Sequence, residues 1–157
     1  MKWFDNFLNR PITKILRLDR AEDYEFFQPF AVFLLFDTEI GLLVGAINDG
    51  KSIQIDSSTL TEIYDDYGVE FRETCLNELK KDDELKVFIG QSIIKIKVGE
   101  YKTDEIIGDN FTIKQGTYSG IIVETEKNKF TYYNDYGGHI WIDDELEFPN
   151  PERWVLT

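Results

Sequence analysis

Residues 137–148, GGHIWIDDELEF, hold the only histidine of the chain, one of its three tryptophans and four carboxylates. His139 and Asp143 are the residue types of a general base and its orienter, but that chemistry needs a nucleophile within hydrogen-bond reach. The only thiol, Cys75, sits in ETCLNEL with no glycine-rich frame, so a Cys75–His139 dyad has no local signature and the cysteine reads as a buried structural one. A zinc site needs three or four soft or imidazole ligands, more than one Cys and one His supply. The D-x-D-x-D-G pattern of a calcium loop is missing, and NDG at 48–50 matches only a turn. Among thirty acidic residues some pair always suits glycoside cleavage, which empties that signal. No phosphate-binding glycine loop and no G-x-S-x-G elbow occurs. The expectation is a non-enzymatic protein with no catalytic residue, no metal and no cofactor. A carboxylate-based hydrolase is the remoter alternative.

Tyrosine beside acid is the pattern left over. IYDDYG supplies Tyr64, Asp65, Asp66 and Tyr67, and TYYNDYGG supplies Tyr133, Asp135 and Tyr136. The DDE of the opening stretch adds Asp143, Asp144 and Glu145. Tyrosine gives rigid contact area with a polar tip, and aspartate gives charge for a basic partner. These ten residues are the candidate partner-binding set. The structural alternative is that they mark turns, where Asp, Asn and Gly belong in any case.

Charge supports the binding reading. Thirty Asp and Glu face seventeen Lys and Arg, for a net charge of −13. Residues 1–20 carry five basic groups against two acids, which leaves −16 on residues 21–157. Such a surface repels phosphate backbones and anionic headgroups, so neither nucleic acid nor membrane is an expected partner. It attracts a basic protein and speeds the encounter. The basic first segment is expected to fold back on the acidic body.

These groups must be held by a folded scaffold, and 42% hydrophobic residues suffice for one. The length, 157 residues, suits a single domain. Trp3, Phe4, Phe7 and Leu8 share one face of a short helix that Pro11 ends. TKILRL (13–18), FAVFLLF (30–36), GLLVGAI (41–47) and KSIQI (51–55) read as strands, the second and third apolar enough to be covered on both faces. Residues 57–68 and 73–81 are the helix candidates. From Leu85 onward LKVFIG, SIIKIKVG, NFTIKQG, SGIIVETE, KFTYYND and HIWID read as strands. Alternation puts Ile94, Ile96 and Val98 in the core with Lys95 and Lys97 wet. It also sets Ile140 and Ile142 against the core, with His139, Trp141 and Asp143 opposite.

DYG precedes DDEL twice, at 66–68 with 82–85 and at 135–137 with 143–146, an echo that suggests two β lobes at about 30–88 and 89–148. The expected class is α+β, mostly β. It has an antiparallel sheet or SH3-like barrel in the C-terminal half and one or two short helices.

TIKQGTYSGIIVETEKNKFTYYNDYGGHIWIDDELEF, residues 112–148, resembles a small SH3-like barrel segment. In size, acidity and segments such as KILRL and FLLFDTEIGLLVGAINDGKSIQI, the chain resembles immunity proteins of bacterial polymorphic and contact-dependent toxin systems. The resemblance implies a protein that binds and neutralises a cognate toxin domain, often a basic nuclease. The alternative is a structural or regulatory interaction domain with no toxin partner. The N-terminal apolar run is broken by Asp5, Asn6, Asn9 and Arg10, unlike a secretory leader, and one cysteine allows no internal disulfide. The expected location is the cytoplasm.

Overall fold

A computed structural model describes residues 2–20, 29–67, 74–107, 111–144 and 154–157. Its main sheet is antiparallel throughout. The first half contributes β1 (Lys14–Arg20), β2 (Ala31–Leu35), β3 (Ile40–Ala46), β4 (Ile53–Thr59) and β5 (Thr74–Glu78), in the order β5-β1-β2-β3-β4. The second contributes β6 (Ile93–Tyr101), β9 (Tyr118–Thr125), β10 (Lys129–Asn134), β11 (Gly138–Ile142) and β12 (Trp154–Leu156), in the order β12-β6-β9-β10-β11. A separate two-stranded ribbon, β7 (Glu105–Ile107) with β8 (Phe111–Ile113), lies between β6 and β9 in sequence. One pair, Ile53↔Tyr118, joins the halves as a ladder.

The two orders are the same: the fifth strand beside the first, then the second, third and fourth. A 3-10 turn precedes the first strand of each half, Trp3–Phe7 and Glu84–Phe88. The turns carry equivalent residues inward, Phe4 with Leu85 and Phe7 with Phe88, all buried. Each is followed by a residue in the left-handed region, Asn9 at φ 62° and Gly90 at φ 89°. The halves then cross reciprocally. Asn9 N–H donates to the Ile93 carbonyl and Gly90 N–H to the Ile12 carbonyl, each at 2.7 Å, around the bridge Pro11↔Ser92.

The ladders place the remaining core residues in matching positions. Ile15↔Leu34 corresponds to Ile96↔Val123, and Val32↔Val44 to Ile121↔Tyr132. Val44↔Ile55 likewise corresponds to Tyr132↔Ile140. All these side chains belong to one buried cluster shared by both halves. A second, smaller cluster lies on the opposite face of the first half, where Leu16, Leu18, Ala31, Phe33 and Leu43 are covered by Ile63 of the helix α1 (Leu60–Tyr67). Strands β2 and β3 are therefore apolar on both faces, as their runs require.

Several expectations are corrected. The segment LKVFIG forms the 3-10 turn rather than a strand, because Leu85 and Phe88, three apart, both point inward. Residues 74–78 form strand β5 on the edge beside β1, not a helix; the ladder from Leu16↔Glu78 to Arg20↔Thr74 overrides their local preference. The other helix is shorter than 57–68, since β4 runs on to Thr59. Ile94 is 50% exposed, because a register shift between Ile93 and Lys95 hands its inward place to Ile93. Ile96 and Val98 are buried and Lys95 is exposed, as the alternation requires. The barrel-like segment 112–148 supplies β9, β10 and β11 to an open sheet and does not close by itself.

The strand-order repeat runs over Trp3–Glu78 and Glu84–Leu156, bounds different from 30–88 and 89–148. The verbal echoes fall at non-equivalent places. Asp66 and Tyr67 end a helix, whereas Asp135–Gly137 make the hairpin turn between β10 and β11.

Candidate functional site

Helix α1 starts at a capping box. Thr59 Oγ1 accepts from the Glu62 N–H at 3.1 Å, and Glu62 Oε2 accepts from the Thr59 N–H at 3.0 Å. Ser58 Oγ donates to the same carboxylate oxygen, and with the Thr59 N–H it holds the Glu62 carboxyl below its ordinary value. Ile63 is buried against the first sheet, which turns Tyr64, Asp65 and Asp66 outward, all exposed. Between α1 and β4 lies an open groove of about 440 Å³. Its walls carry the carboxylates of Asp56, Glu62 and Asp66, the hydroxyls of Ser57 and Ser58, and Trp3 from the first 3-10 turn. Among the described residues no lysine or arginine lines it. The expected pattern named Tyr64, Asp65 and Asp66 but missed Asp56, Glu62 and Trp3. Only the capping box T-L-T-E could have pointed to Glu62, and nothing local brings Trp3 to β4.

The second Tyr–Asp group is engaged otherwise. Asp135 pairs with Lys51 at 2.9 Å, and the same ammonium lies 4.2 Å from the ring centroid of Tyr136. Tyr136 has φ 56°, its N–H donates to the Gly50 carbonyl at 2.8 Å, and its side chain is 78% exposed. The turns β3–β4 and β10–β11, equivalent in the two halves, are thus bound to each other. Asn134 Nδ2 adds bonds to the carbonyls of Ile47 and Ser52. Tyr133 stacks on His139 with centroids 5.2 Å apart, and its hydroxyl accepts from the Trp141 indole N–H at 3.1 Å. His139 Nε2 is 3.1 Å from the Asp135 carbonyl. Imidazole, indole and phenol thus form a half-buried packed row on the outer side of β10 and β11.

The third group is a turn staple. Asp143, at φ 58°, accepts from the Lys129 N–H at 3.0 Å and the Asn128 Nδ2 at 2.6 Å. Asp144 is exposed. Glu145 and the Tyr67 side chain lie outside the described residues, as does the side chain of Cys75. The backbone of Cys75 is on β5 and that of His139 on β11, opposite ends of the strand order, so the sheet gives a dyad between them no support. Among the described residues, no three His, Cys, Asp or Glu side chains gather as a metal site. Nor is any helix among them long and apolar enough to cross a membrane.

The basic first segment meets the body through Arg10–Asp37 at 3.9 Å, Lys14–Glu78 at 2.8 Å and Arg17–Asp83 at 2.9 Å. The last of these is buried, and Asp19 completes it with two bonds to the Arg17 Nε and one from its Nη2. Asn77 Nδ2 donates to Asp19 from β5 at 3.1 Å. This network joins the first strand to the start of the second half.

Comparison with protein-family models, curated proteins and solved structures gives no match.

Proposed function

We propose that this protein is a non-enzymatic acidic binding module that engages a basic protein domain and neutralises it in the cytoplasm, as immunity proteins do for their toxins. The observation that carries the reading is the face formed by α1 and β4. Asp56, Glu62 and Asp66 line the groove there with Trp3, Asp65 is exposed beside them on α1, and among the described residues no lysine or arginine lines the groove. A cleft of one sign focuses the field on an incoming cationic surface, and exposed aromatics supply desolvated contact once it arrives. The −16 on residues 21–157 provides the long-range part of the same attraction.

The test is to recover the partner by co-purification and to measure its association from low to high salt. Asp65→Lys with Asp66→Lys is expected to slow association about tenfold or more at low salt and to leave a smaller difference at high salt. Association that ignores both salt and this reversal would sink the acidic-face mechanism. A partner that is acidic, or one whose activity survives binding, would sink the neutralisation reading.

A further inference from the structure

Five consecutive residues of β4, Gln54 to Ser58, line the groove. Successive side chains of a strand point to opposite faces. A cavity that meets each of them in turn therefore runs along the edge of the strand. That edge is open. One side of β4 is held by β3 from Ile40↔Thr59 to Ala46↔Ile53. On the other side β9 makes the single pair Ile53↔Tyr118, and no other described strand joins. Glu62 takes the Thr59 N–H and so closes the far end. What remains between is a short row of backbone donors and acceptors facing the groove, which is the template for one more strand.

The walls define what that strand carries. On the side shared with α1 stand Asp56, Glu62 and Asp66. On the other side stand the Trp3 indole, 42% exposed, and the flank of Ile55. We propose that the groove takes an extended segment of a partner protein as an added strand on β4. Lysine or arginine at alternate positions meets the carboxylates, and apolar side chains between them meet Trp3. This deepens the preceding reading by naming the form in which a basic partner binds, while the groove chemistry stands on its own geometry.

The experiment uses the isotopically labelled full chain and an end-blocked octapeptide of alternating lysine and valine. Two further peptides are N-methylated, one on every lysine and one on every valine. In a strand added to β4, the amides facing the ladder belong to only one of these two sets. The parent peptide is expected to shift the amides of Gln54–Ser58 and the Trp3 indole saturably. One methylated peptide should lose about tenfold or more in affinity, the size of one or more net hydrogen bonds, while the other binds as the parent does. Asp56→Asn with Asp66→Asn should weaken the parent peptide and flatten its salt dependence. Absence of binding, shifts confined to other surfaces, or equal binding by both methylated peptides would overturn the proposal. Peptide binding at β4 without any basic partner to neutralise would fault the functional reading alone. A basic partner that binds without slowing amide exchange at Gln54–Ser58 would fault the added strand alone.

Discussion

The two halves present the same strands in the same order, yet only their inward faces agree. Inside, Phe7 matches Phe88, Ile12 matches Ile93 and Val32 matches Ile121, all buried in one cluster. Outside, the first half sets Leu16, Phe33 and Leu43 beneath Ile63 of α1. At the same ladder positions the second half has Lys97, Ile122 and Thr131, with the Tyr133–His139–Trp141 row beside them. A shared core constrains both halves together, because the inward side chains of both belong to one cluster, and such interiors are close-packed. An outward face answers only to whatever covers it. The first half covers its face with a helix, and the groove lies between that helix and β4.

The comparison breaks inside the core at one place, and the largest effect is expected there. Arg17 occupies the ladder position that corresponds to Val98, and both are fully buried. A buried guanidinium is tolerable only with its partners, and desolvation, which lowers its pKa, is outweighed by the bonds to Asp19 and Asp83. Arg17→Met leaves two buried carboxylates uncompensated and is expected to destabilise the fold by about 3–5 kcal/mol in denaturant unfolding. Adding Asp19→Asn and Asp83→Asn should recover part of that loss. If the triple variant is no more stable than the single one, the cost lies in packing rather than in charge.

The next effect sharpens the contrast between outer faces. Leu16 and Lys97 hold equivalent places, one buried under α1 and one half-exposed beside Glu124. Leu16→Ala is expected to cost about 2–5 kcal/mol, as core truncations do. Lys97→Ala should stay within about 0.5 kcal/mol, as surface changes do. Equal costs would mean that the outer face of the second half carries as much of the fold as that of the first.

What the sequence made legible follows the same division. Runs such as FAVFLLF and GLLVGAI gave β2 and β3 because residues covered on both faces leave an unbroken apolar signal. Ile140, set inward by alternation, is buried, and His139 and Trp141 lie on the other side. The register shift that exposes Ile94 has no local mark in IIKIKV, since it is imposed by pairing with β9. The local pattern of residues 73–81 predicts a helix in place of β5 for the same reason: the ladder partner of that strand is more than fifty residues away in the chain. Of the candidate site, Tyr64, Asp65 and Asp66 were legible as exposed acid and aromatic. The groove was not, because it needs β4, α1 and Trp3 together, and only tertiary structure assembles them. Asp135 and Asp143 look equally acidic in sequence, but Lys51 and the β9–β10 turn occupy them.

The smallest effect concerns the helix that distinguishes the first half. Thr59→Ala removes the side-chain cap of α1 and is expected to cost about 1 kcal/mol. Glu62, the other half of the box, makes its contribution through charge and so shows itself in pH. Its carboxyl is held below the ordinary 4.5 by the Thr59 N–H and the Ser58 hydroxyl. A group depressed on folding stabilises the folded state above its unfolded value and loses that contribution as pH falls through the folded one. Glu62→Gln keeps an acceptor for the Thr59 N–H but cannot ionise. The melting temperatures of the two proteins should therefore differ most near neutral pH and converge as the pH falls from the ordinary 4.5 through the lowered value. Lys14, raised chiefly by its bond to Glu78, behaves oppositely: its contribution is present below 10.5 and fades as pH climbs through the raised value. A gap between wild type and Glu62→Gln that persists unchanged into acid would assign the role of Glu62 to hydrogen bonding alone. The α1 cap would then owe nothing to the negative charge that the same residue lends to the groove.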